Sequence, residues 1–112
     1  MVPARVSEKA PKVEDKQLRD YELVVIISTE AMDKDSATTI DKVSQLITRK
    51  GGIISDVEQW GKRKLAYPIR HFMEGYYVLS RFRLEPASCN ELEANLRLSE
   101  EILRHLLIKL SN

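Results

Sequence analysis

Residues 60–84 read WGKRKLAYPIRHFMEGYYVLSRFRL, and this stretch concentrates the positive charge of the chain. It holds six of the eighteen Lys and Arg residues and one acid, Glu74, so it carries about +5 while the whole chain carries +1. It also holds six of the seven aromatic residues. The cations are Lys62, Arg63, Lys64, Arg70, Arg81 and Arg83, and the aromatic residues are Trp60, Tyr67, Phe72, Tyr76, Tyr77 and Phe82. The sequence therefore predicts a local electropositive surface on a nearly neutral molecule.

Cations interleaved with rings suit a nucleic acid, because ammonium and guanidinium groups neutralise phosphates and flat rings stack on exposed bases. The alternative is a pair of strands whose basic edge is solvated and whose aromatic face fills the core, since strands favour aromatic residues in any case. Composition alone leaves both interpretations open.

The whole chain, with 112 residues, is long enough for one domain with a core that needs no disulfide or metal. Its single cysteine, Cys89, excludes an internal disulfide and fits a reducing compartment. We find no apolar run of the roughly 18 residues that a membrane span needs, and no apolar core of a secretory signal. We therefore expect a soluble intracellular protein.

Residues 1–19 are expected to form a flexible extension in front of one domain over residues 20–112. The extension contains two prolines, mixed charges and no aromatic residue, so burial could not offset the entropy of ordering it. The alternative is an arm that orders on RNA or on a neighbouring protein. Its phosphate contacts would be Arg5, Lys9, Lys12, Lys16 and Arg19.

Residues 21–28, YELVVIIS, form a nearly continuous apolar run that indicates a central strand. A helix follows and ends at Lys50, before the glycine pair at 51–52. Good candidates for its N-cap are Asp33, Asp35 and Ser36. In the strand, Leu23, Val25 and Ile27 would share one face and Val24 and Ile26 the other.

Residues 53–65 predict a second strand with a bulge at Gly61, and Pro68 is expected to end its pairing. Residues 68–75 would form the turn of a hairpin, whose return strand covers residues 76–84. The return strand alternates, so Tyr76, Val78, Ser80, Phe82 and Leu84 would face the helices, and Tyr77, Leu79, Arg81 and Arg83 the other side.

Residues 86–99 predict a second helix, with Ser88 and Glu91 in capping-box spacing and an inward stripe of Leu92 and Leu96. Cys89 on the same side is interpreted as a small buried hydrophobe rather than a nucleophile. Residues 102–110 predict a last strand. Within it, His105 is interpreted as a partly buried, hydrogen-bonded side chain rather than a ligand.

The order strand, helix, strand, strand, helix, strand predicts an α+β fold of the ferredoxin-like, split βαβ type. Right-handed crossovers would place both helices on one face of a four-stranded antiparallel sheet. The other sheet face would leave Val24, Ile26, Tyr77 and Leu79 uncovered together. A contiguous apolar patch of this kind usually marks an interaction site.

No catalytic constellation emerges from the sequence. The two histidines, His71 and His105, are not in metal-ligand spacing with Cys89, and the glycine pair follows a helix instead of opening one. We therefore expect a protein that is not an enzyme and has no cofactor and no metal.

Two runs in the hairpin, W-G-K-R-K-L-A-Y-P-I (60–69) and G-Y-Y-V-L (75–79), resemble the sixth protein of the bacterial-type small ribosomal subunit. That family carries a glycine, a basic pair or triplet and then L-A-Y-P-I at the end of its second strand. The opening Y-E-L-V-V-I-I (21–27) and the closing I-L-R-H-L-L-I-K (102–109) also fit. The resemblance covers about residues 20–110.

This resemblance implies a structural role on the ribosome. Family members bind the central domain of small-subunit ribosomal RNA, within the platform, as a heterodimer with the eighteenth small-subunit protein. It implies no membrane and no small-molecule substrate, and a cytoplasmic ribosome, with an organellar ribosome as the alternative.

The family's motifs also imply site residues. The expected RNA contacts are Lys62, Arg63 and Lys64 of the basic motif, the strand-one Tyr21 and the last-strand Arg104, to which the charge argument adds Arg81 and Arg83. The expected protein-partner contacts are Leu65, Ala66, Tyr67, Pro68 and Ile69, together with Tyr77 and Leu79 of the open face. Stacking of Tyr67 on a base is the alternative for that ring.

Two other functional classes of protein share this fold and are alternatives to the ribosomal interpretation. A ligand-binding regulatory module would need a glycine-containing loop at a strand–helix junction, and residues 28–33 contain no glycine. A ferredoxin-like hydrolase of acyl phosphates would need an arginine in a loop after the first strand and an asparagine on the sheet, and neither is visible.

Overall fold

The computed structural model describes residues 17–110, in which four strands and two helices follow the order β-α-β-β-α-β. A short 3₁₀ turn, Pro86–Ser88, leads into the second helix. The elements are β1 Arg19–Ser28, α1 Thr29–Arg49, β2 Ile53–Ile69, β3 Phe72–Leu84, α2 Cys89–Leu98 and β4 Ile102–Lys109. The expectations for residues 1–16 lie outside the described residues, while β1 begins two residues before the predicted Tyr21.

The sheet has the strand order β2-β3-β1-β4, and every neighbouring pair is antiparallel. In the middle of β1, Val25 is paired with Val78 of β3 on one side and with His105 of β4 on the other. Each helix connects two strands that are separated in the sheet by one other strand, as in the split βαβ arrangement. The predicted fold class is confirmed.

The core lies between one face of the sheet and the two helices. Leu23, Val25 and Ile27 of β1 are buried with Ile47 of α1 and Leu96 of α2. Burial of each such side chain contributes about 1.5–3 kcal/mol to stability. Of the five residues of β3 predicted to face the helices, four belong to this core or pack against it. The fifth, Ser80, is a polar residue that is also buried. The predicted alternation of β1 and β3 is therefore confirmed.

Helix α1 begins directly after β1, because the side chain of Ser28 accepts a hydrogen bond from the N–H of Ala31 at 3.2 Å. Helical geometry is interrupted at Asp35 (φ −162°, ψ 91°), whose Oδ1 accepts a hydrogen bond from the N–H of Thr38 at 3.1 Å. Asp35 thus caps the second part of α1, as predicted, and the helical turns before it were not predicted. The hydrogen bonds from Thr38, first from its side chain, lower the pKa of Asp35.

The capping box predicted for α2 is wrong. Ser88 makes no side-chain capping bond, because the 3₁₀ turn gives it helical dihedral angles (φ −88°, ψ −8°) instead of the extended ones of an N-cap. Glu91 lies instead 3.8 Å from the ammonium group of Lys50. The inward stripe of Leu92 and Leu96 is confirmed, since both are fully buried.

The β2–β3 hairpin is longer than predicted. β2 continues through Pro68 to Ile69, and only two residues, Arg70 and His71, separate it from β3. The pairing passes from Lys64 opposite Glu74 directly to Ile69 opposite Phe72, so residues 65–68 bulge out of the ladder. Pro68 is tolerated there because a bulged residue need not donate its N–H. A smaller register shift precedes Gly61 (φ +90°), which confirms the bulge predicted at that glycine.

Candidate nucleic-acid and protein interface

The sheet face opposite the helices carries the residues that the sequence singled out. Because cross-strand partners share a face, the strand registers place these residues in three rows. The rows, from β2 to β4, are Asp56, Arg81, Glu22 and Ile108; Glu58, Leu79, Val24 and Leu106; Gly61, Tyr77, Ile26 and Arg104. The first row is rich in carboxylates, and the last row ends in a cation.

The apolar part of this open face is a shallow groove of about 340 Å³. Its lining combines Val24, Ile26, Tyr77, His105 and Leu106 with the guanidinium-bearing Arg104. Leu106 is 58% exposed, which is high for a leucine on a sheet. The prediction of an uncovered apolar patch is right for most of its members and wrong for Leu79, which is only 3% exposed.

Arg81 lies at the acidic end of the open face and is surrounded by carboxylates. Its Nε donates to Glu22 at 2.9 Å, and its Nη1 donates to Asp56 at 3.1 Å and to Glu58 at 2.7 Å. The hydrogen bonds from Trp60 and then from Arg81 lower the pKa of Glu58. One cation among three carboxylates leaves this end negative. No local sequence pattern points to this cluster, although the period of two along β1 and β2 places its acids on one face.

Arg83, the other arginine that the charge argument added, lies 3.3 Å from Oδ1 of Asp20. Both arginines are therefore in ion pairs with carboxylates of neighbouring strands. RNA contact by Arg81 or Arg83 stays a prediction, and the ion pairs mean that each would have to exchange a carboxylate for a phosphate.

The basic triplet, Lys62, Arg63 and Lys64, is exposed, but strand alternation divides it between two faces. Lys62 is paired with Tyr76 on the helix side, and its Nζ lies 5.9 Å from the centre of that ring. Arg63 points to the open face, where its guanidinium lies 5.5 Å from the ring centre of Trp60 and 5.9 Å from that of Tyr77. These distances are within the range of cation–π attraction, so the stacked guanidinium of Arg63 is held in place.

Tyr21 is not on the surface. Its side chain belongs to the core, with 5% exposure, and its ring stacks on Phe82 with centroids 5.9 Å apart. Burial, followed by the hydrogen bond with Cys89, raises the pKa of Tyr21 to about 12. The ring that the resemblance implied as an RNA contact is therefore packed under the helices.

The bulged segment of β2 meets β4. Leu65, Ala66, Tyr67 and Ile69 line a cavity of about 120 Å³ together with Ile26, Tyr77 and Arg104. Nη1 of Arg104 donates a hydrogen bond to the hydroxyl of Tyr67, and the guanidinium lies 5.8 Å from the ring centre. The structure thus brings the expected partner contacts of this segment next to Arg104, while Pro68 is exposed beside them.

Two further interpretations of single residues are confirmed. Nε2 of His105 lies 3.1 Å from Oε1 of Glu93 in a partly buried pair, and Cys89 packs half-buried against the core. Among residues 17–110, no group of three or more His, Cys, Asp and Glu side chains is arranged to hold a metal ion. Neither helix of the described part is long and apolar enough to cross a membrane.

The fold and this site define a ferredoxin-like protein with a basic hairpin and an apolar groove on its open sheet face. Residues 20–109 match the family model described as Ribosomal protein S6, and the chain belongs to that family. It is therefore a structural constituent of the small ribosomal subunit, with a role in translation, and not an enzyme. This membership places it on the ribosome, in agreement with the expected location.

Individual relatives agree with the family match. The chain is 42% identical over 93 residues to small ribosomal subunit protein bS6 of Dehalococcoides mccartyi, covering 83% of this chain and 85% of the relative. It is 40% identical to the bS6 protein of Moorella thermoacetica, covering 83% and 95%. The crystal structure of 30S ribosomal protein S6 from Thermotoga maritima superposes with a TM-score of 0.77 at 32% identity, covering 84% of this chain and 89% of that one.

The fold also occurs outside the ribosome. The C-terminal domain of the MgtC protein from Mycobacterium tuberculosis superposes with a TM-score of 0.51 at 16% identity, covering 89% of this chain and 96% of that domain. At this identity the likeness concerns the fold alone, since one fold hosts many functions.

Proposed function

We propose that the chain binds the central domain of small-subunit ribosomal RNA together with the eighteenth small-subunit protein, and so supports assembly of the platform. The identity of the RNA region and of the partner comes from the family resemblance. The observation that carries the proposal is the exposed basic triplet at the hairpin, of which Arg63 lies 5.9 Å from the ring centre of Tyr77 in the apolar groove of the open sheet face. One surface suits phosphates and the other suits a protein.

The RNA contacts of this proposal are Lys62, Arg63 and Lys64. All three are exposed, and the structure records no carboxylate within ion-pair distance of them among the described residues. Each phosphate that such a cation neutralises releases counterions, so binding gains affinity at low salt. Arg81 and Arg83 already neutralise carboxylates and Tyr21 is buried, so the proposal does not depend on them.

The protein contacts lie on the open face and on the bulged segment of β2. Tyr77, with Val24, Ile26 and Leu106, offers an apolar floor, and the side chains at 65–69 form its rim. A partner that covered this groove would remove exposed apolar area from water, which favours association by about 25 cal/mol per Å² of apolar surface before the costs of binding. Leu79 lies on the same face but is only 3% exposed, so the proposal does not depend on it.

The RNA half is tested with a variant that replaces Lys62, Arg63 and Lys64 by alanine. Its binding to a central-domain RNA is measured at several salt concentrations in the presence of the partner. We expect weaker binding and an unchanged melting temperature. The slope of log K against log salt, called the salt slope, should be reduced by about one unit per lost contact. Replacing the exposed Lys34, Arg49 and Arg97 of the helices removes the same charge elsewhere and should leave the slope unchanged. Unchanged affinity of the triplet variant would overturn the RNA assignment.

The protein half is tested with Leu106→Glu, which places a charge in the groove. We expect the affinity for the eighteenth small-subunit protein to fall at least tenfold, because a carboxylate would be desolvated in the interface. Leu98→Glu is the matched control, since Leu98 is 80% exposed at the end of α2, away from the open face. Equal effects of the two variants would remove the groove from the interface.

A further inference from the structure

The two edge strands of the sheet touch each other, although two strands lie between them. β2 and β4 are at opposite ends of the order β2-β3-β1-β4. Nevertheless, the guanidinium of Arg104 on β4 donates to the hydroxyl of Tyr67 on β2. Ile26 of β1 lines the same cavity, so the end of the hairpin reaches across β1 to the far edge.

A second contact fastens the tip of the hairpin to the start of β4. Nη1 of Arg70 donates to the carbonyl oxygen of Glu100 at 2.9 Å, and Nη2 lies 3.5 Å from the carbonyl oxygen of Ile102. Arg70 itself has φ +58°, in the left-handed region that glycine and asparagine normally occupy. A residue with a long side chain is kept in this conformation by its surroundings, which here are the two carbonyl groups.

Backbone pairing does not hold the segment between these contacts. The β2–β3 register passes from Lys64 to Ile69, so four residues of β2 lie outside the ladder, and one of them is Pro68, which has no N–H. The basic triplet ends at Lys64, where regular pairing stops. Its three members are paired with β3, and Lys64 forms the last pair before the bulge, so the anchoring of the bulged segment limits fraying at this end of the ladder.

We infer that Tyr67, Arg70 and Arg104 form a clasp that fixes the hairpin across the sheet, and that they act as positioning residues for the basic triplet and not as RNA contacts. The inference rests on the proposed RNA binding and deepens it. The resemblance assigned Arg104 to the RNA, whereas here its guanidinium is engaged by the hydroxyl and the ring of Tyr67. Arg104 therefore affects RNA binding indirectly, because it holds the hairpin that carries the basic triplet.

The salt dependence of RNA binding separates positioning from contact. Loss of a phosphate contact lowers the slope of log K against log salt by about one unit, whereas loss of positioning lowers the population of the binding-competent hairpin and leaves the slope unchanged. We expect Tyr67→Phe, Arg70→Gly and Arg104→Gln each to weaken binding by about three- to tenfold at constant slope. Lys62→Ala is the contact control, with a slope lower by about one unit.

Two of these variants are chosen to isolate the clasp. Tyr67→Phe keeps the ring and leaves Arg104 intact, so a direct phosphate contact by Arg104 would survive it. Arg70→Gly relieves the left-handed backbone and removes only the side-chain anchor. If Arg104→Gln lowers the slope by about one unit while Tyr67→Phe leaves affinity unchanged, Arg104 is a phosphate contact and the clasp is refuted.

Amide hydrogen exchange in the free protein tests the clasp without RNA. In all three variants we expect faster exchange, by about tenfold, at the paired residues beside the bulge, 62–64 and 74–76, and unchanged exchange in the helix segments 38–49 and 90–98. Unchanged exchange at residues 62–64 and 74–76 would overturn the clasp even if RNA binding fell. If instead exchange rises but Lys62→Ala changes neither affinity nor slope, the clasp stands and the proposed RNA contact fails.

Discussion

Arg81 and Glu58 form the shortest ion pair on the open face, with 2.7 Å between Nη1 and Oε2. The other carboxylate oxygen of Glu58 accepts a hydrogen bond from the indole N–H of Trp60 at 3.2 Å. One carboxylate thus connects an arginine of β3 to the ring on which Arg63 stacks. Isolated surface pairs contribute little, but a cation shared by three acids keeps like charges from repelling one another.

Replacing Arg81 by methionine keeps most of the apolar stem and removes the charge. We expect a lower melting temperature at pH 7, because Glu22, Asp56 and Glu58 are then left together without their common cation. Since the proposed function does not depend on Arg81, the salt slope of RNA binding should not change, and a lower slope would make Arg81 a phosphate contact. Arg97→Met on the exposed side of α2 is the control and should leave the melting temperature nearly unchanged.

The same cluster predicts a pH dependence. The folded state holds the pKa of Glu58 below its ordinary value of 4.5, so the stabilisation is present above pH 4.5 and is lost as the pH falls through the lowered pKa. The difference in melting temperature between the wild-type protein and Arg81→Met should therefore shrink between pH 5 and pH 3, as followed by circular dichroism. A difference that stays constant over this range would contradict the role of the carboxylates.

Tyr21 should behave as a core residue. Tyr21→Ala would leave a cavity beside Phe82, and we expect a loss of about 3–5 kcal/mol in the free energy of unfolding. Tyr21→Phe keeps the ring and should cost much less, with RNA affinity unchanged. Urea denaturation and RNA binding of both variants check this. A loss of RNA affinity in a fully folded Tyr21→Phe protein would restore the contact that the resemblance implied.

The hydroxyl of Tyr21 should ionise late. Its pKa is raised to about 12, so the folded state favours the neutral hydroxyl. The contribution of this group to the free energy of unfolding is complete below pH 10 and is lost as the pH rises through 12. In a spectrophotometric titration, Tyr21→Phe should remove the phenolate that appears last. If it removes an absorbance step near pH 10 instead, the ring is not buried in solution.

Gly75 allows β3 to approach β1. A Cβ at this position would lie 2.4 Å from Cγ2 of Ile26 and 3.4 Å from the carbonyl oxygen of Ile27. We expect Gly75→Ala to destabilise the protein by about 1–3 kcal/mol through overpacking. Because the closer clash is with a side chain, the combination with Ile26→Ala should be less destabilising than the sum of the two single changes, which a double-mutant cycle measures. Strict additivity would exclude this contact as the cause.

Asp35 should stabilise α1 as a cap in the middle of the helix. Its pKa lies below the ordinary value of 3.8 because Thr38 donates to the carboxylate from its side chain and its backbone. The contribution is therefore present above pH 3.8 and lost as the pH falls through the lowered pKa. We expect Asp35→Ala to lower the melting temperature at pH 7 and to have a progressively smaller effect as the pH falls below 3.8. The exposed Asp41→Ala on the same helix is the control, and an equal effect there would argue against capping.

Much of the fold could be predicted because local patterns and tertiary structure agree. The apolar run of β1, the alternation of β3 and the glycine pair after α1 each specify one element, and their order specifies the topology. The helical turns that begin at Thr29 were missed because Asp35 is a good N-cap, although the side chain of Ser28 already caps the helix before it. The length of β2 was underestimated because Pro68 ends a regular ladder but not a bulged one.

The site could be predicted only in part. Lys62, Arg63 and Lys64 were found because three adjacent cations are visible in any sequence. The engagement of Arg81 was not found, because its acids are 59, 25 and 23 residues away along the chain and become neighbours only through the strand registers. The burial of Tyr21 is visible in the sequence, since strand alternation puts this residue on the same face as Leu23 and Val25.

The central position of β1 has a consequence for the biosynthesis of the protein. Both of its partners, β3 and β4, begin far downstream, at Phe72 and Ile102. A nascent chain therefore exposes an apolar strand for the time needed to translate about 80 further residues, on the order of ten seconds at typical elongation rates. Its sheet can close only when the last strand has left the exit tunnel, because β1 lacks its second partner strand until then.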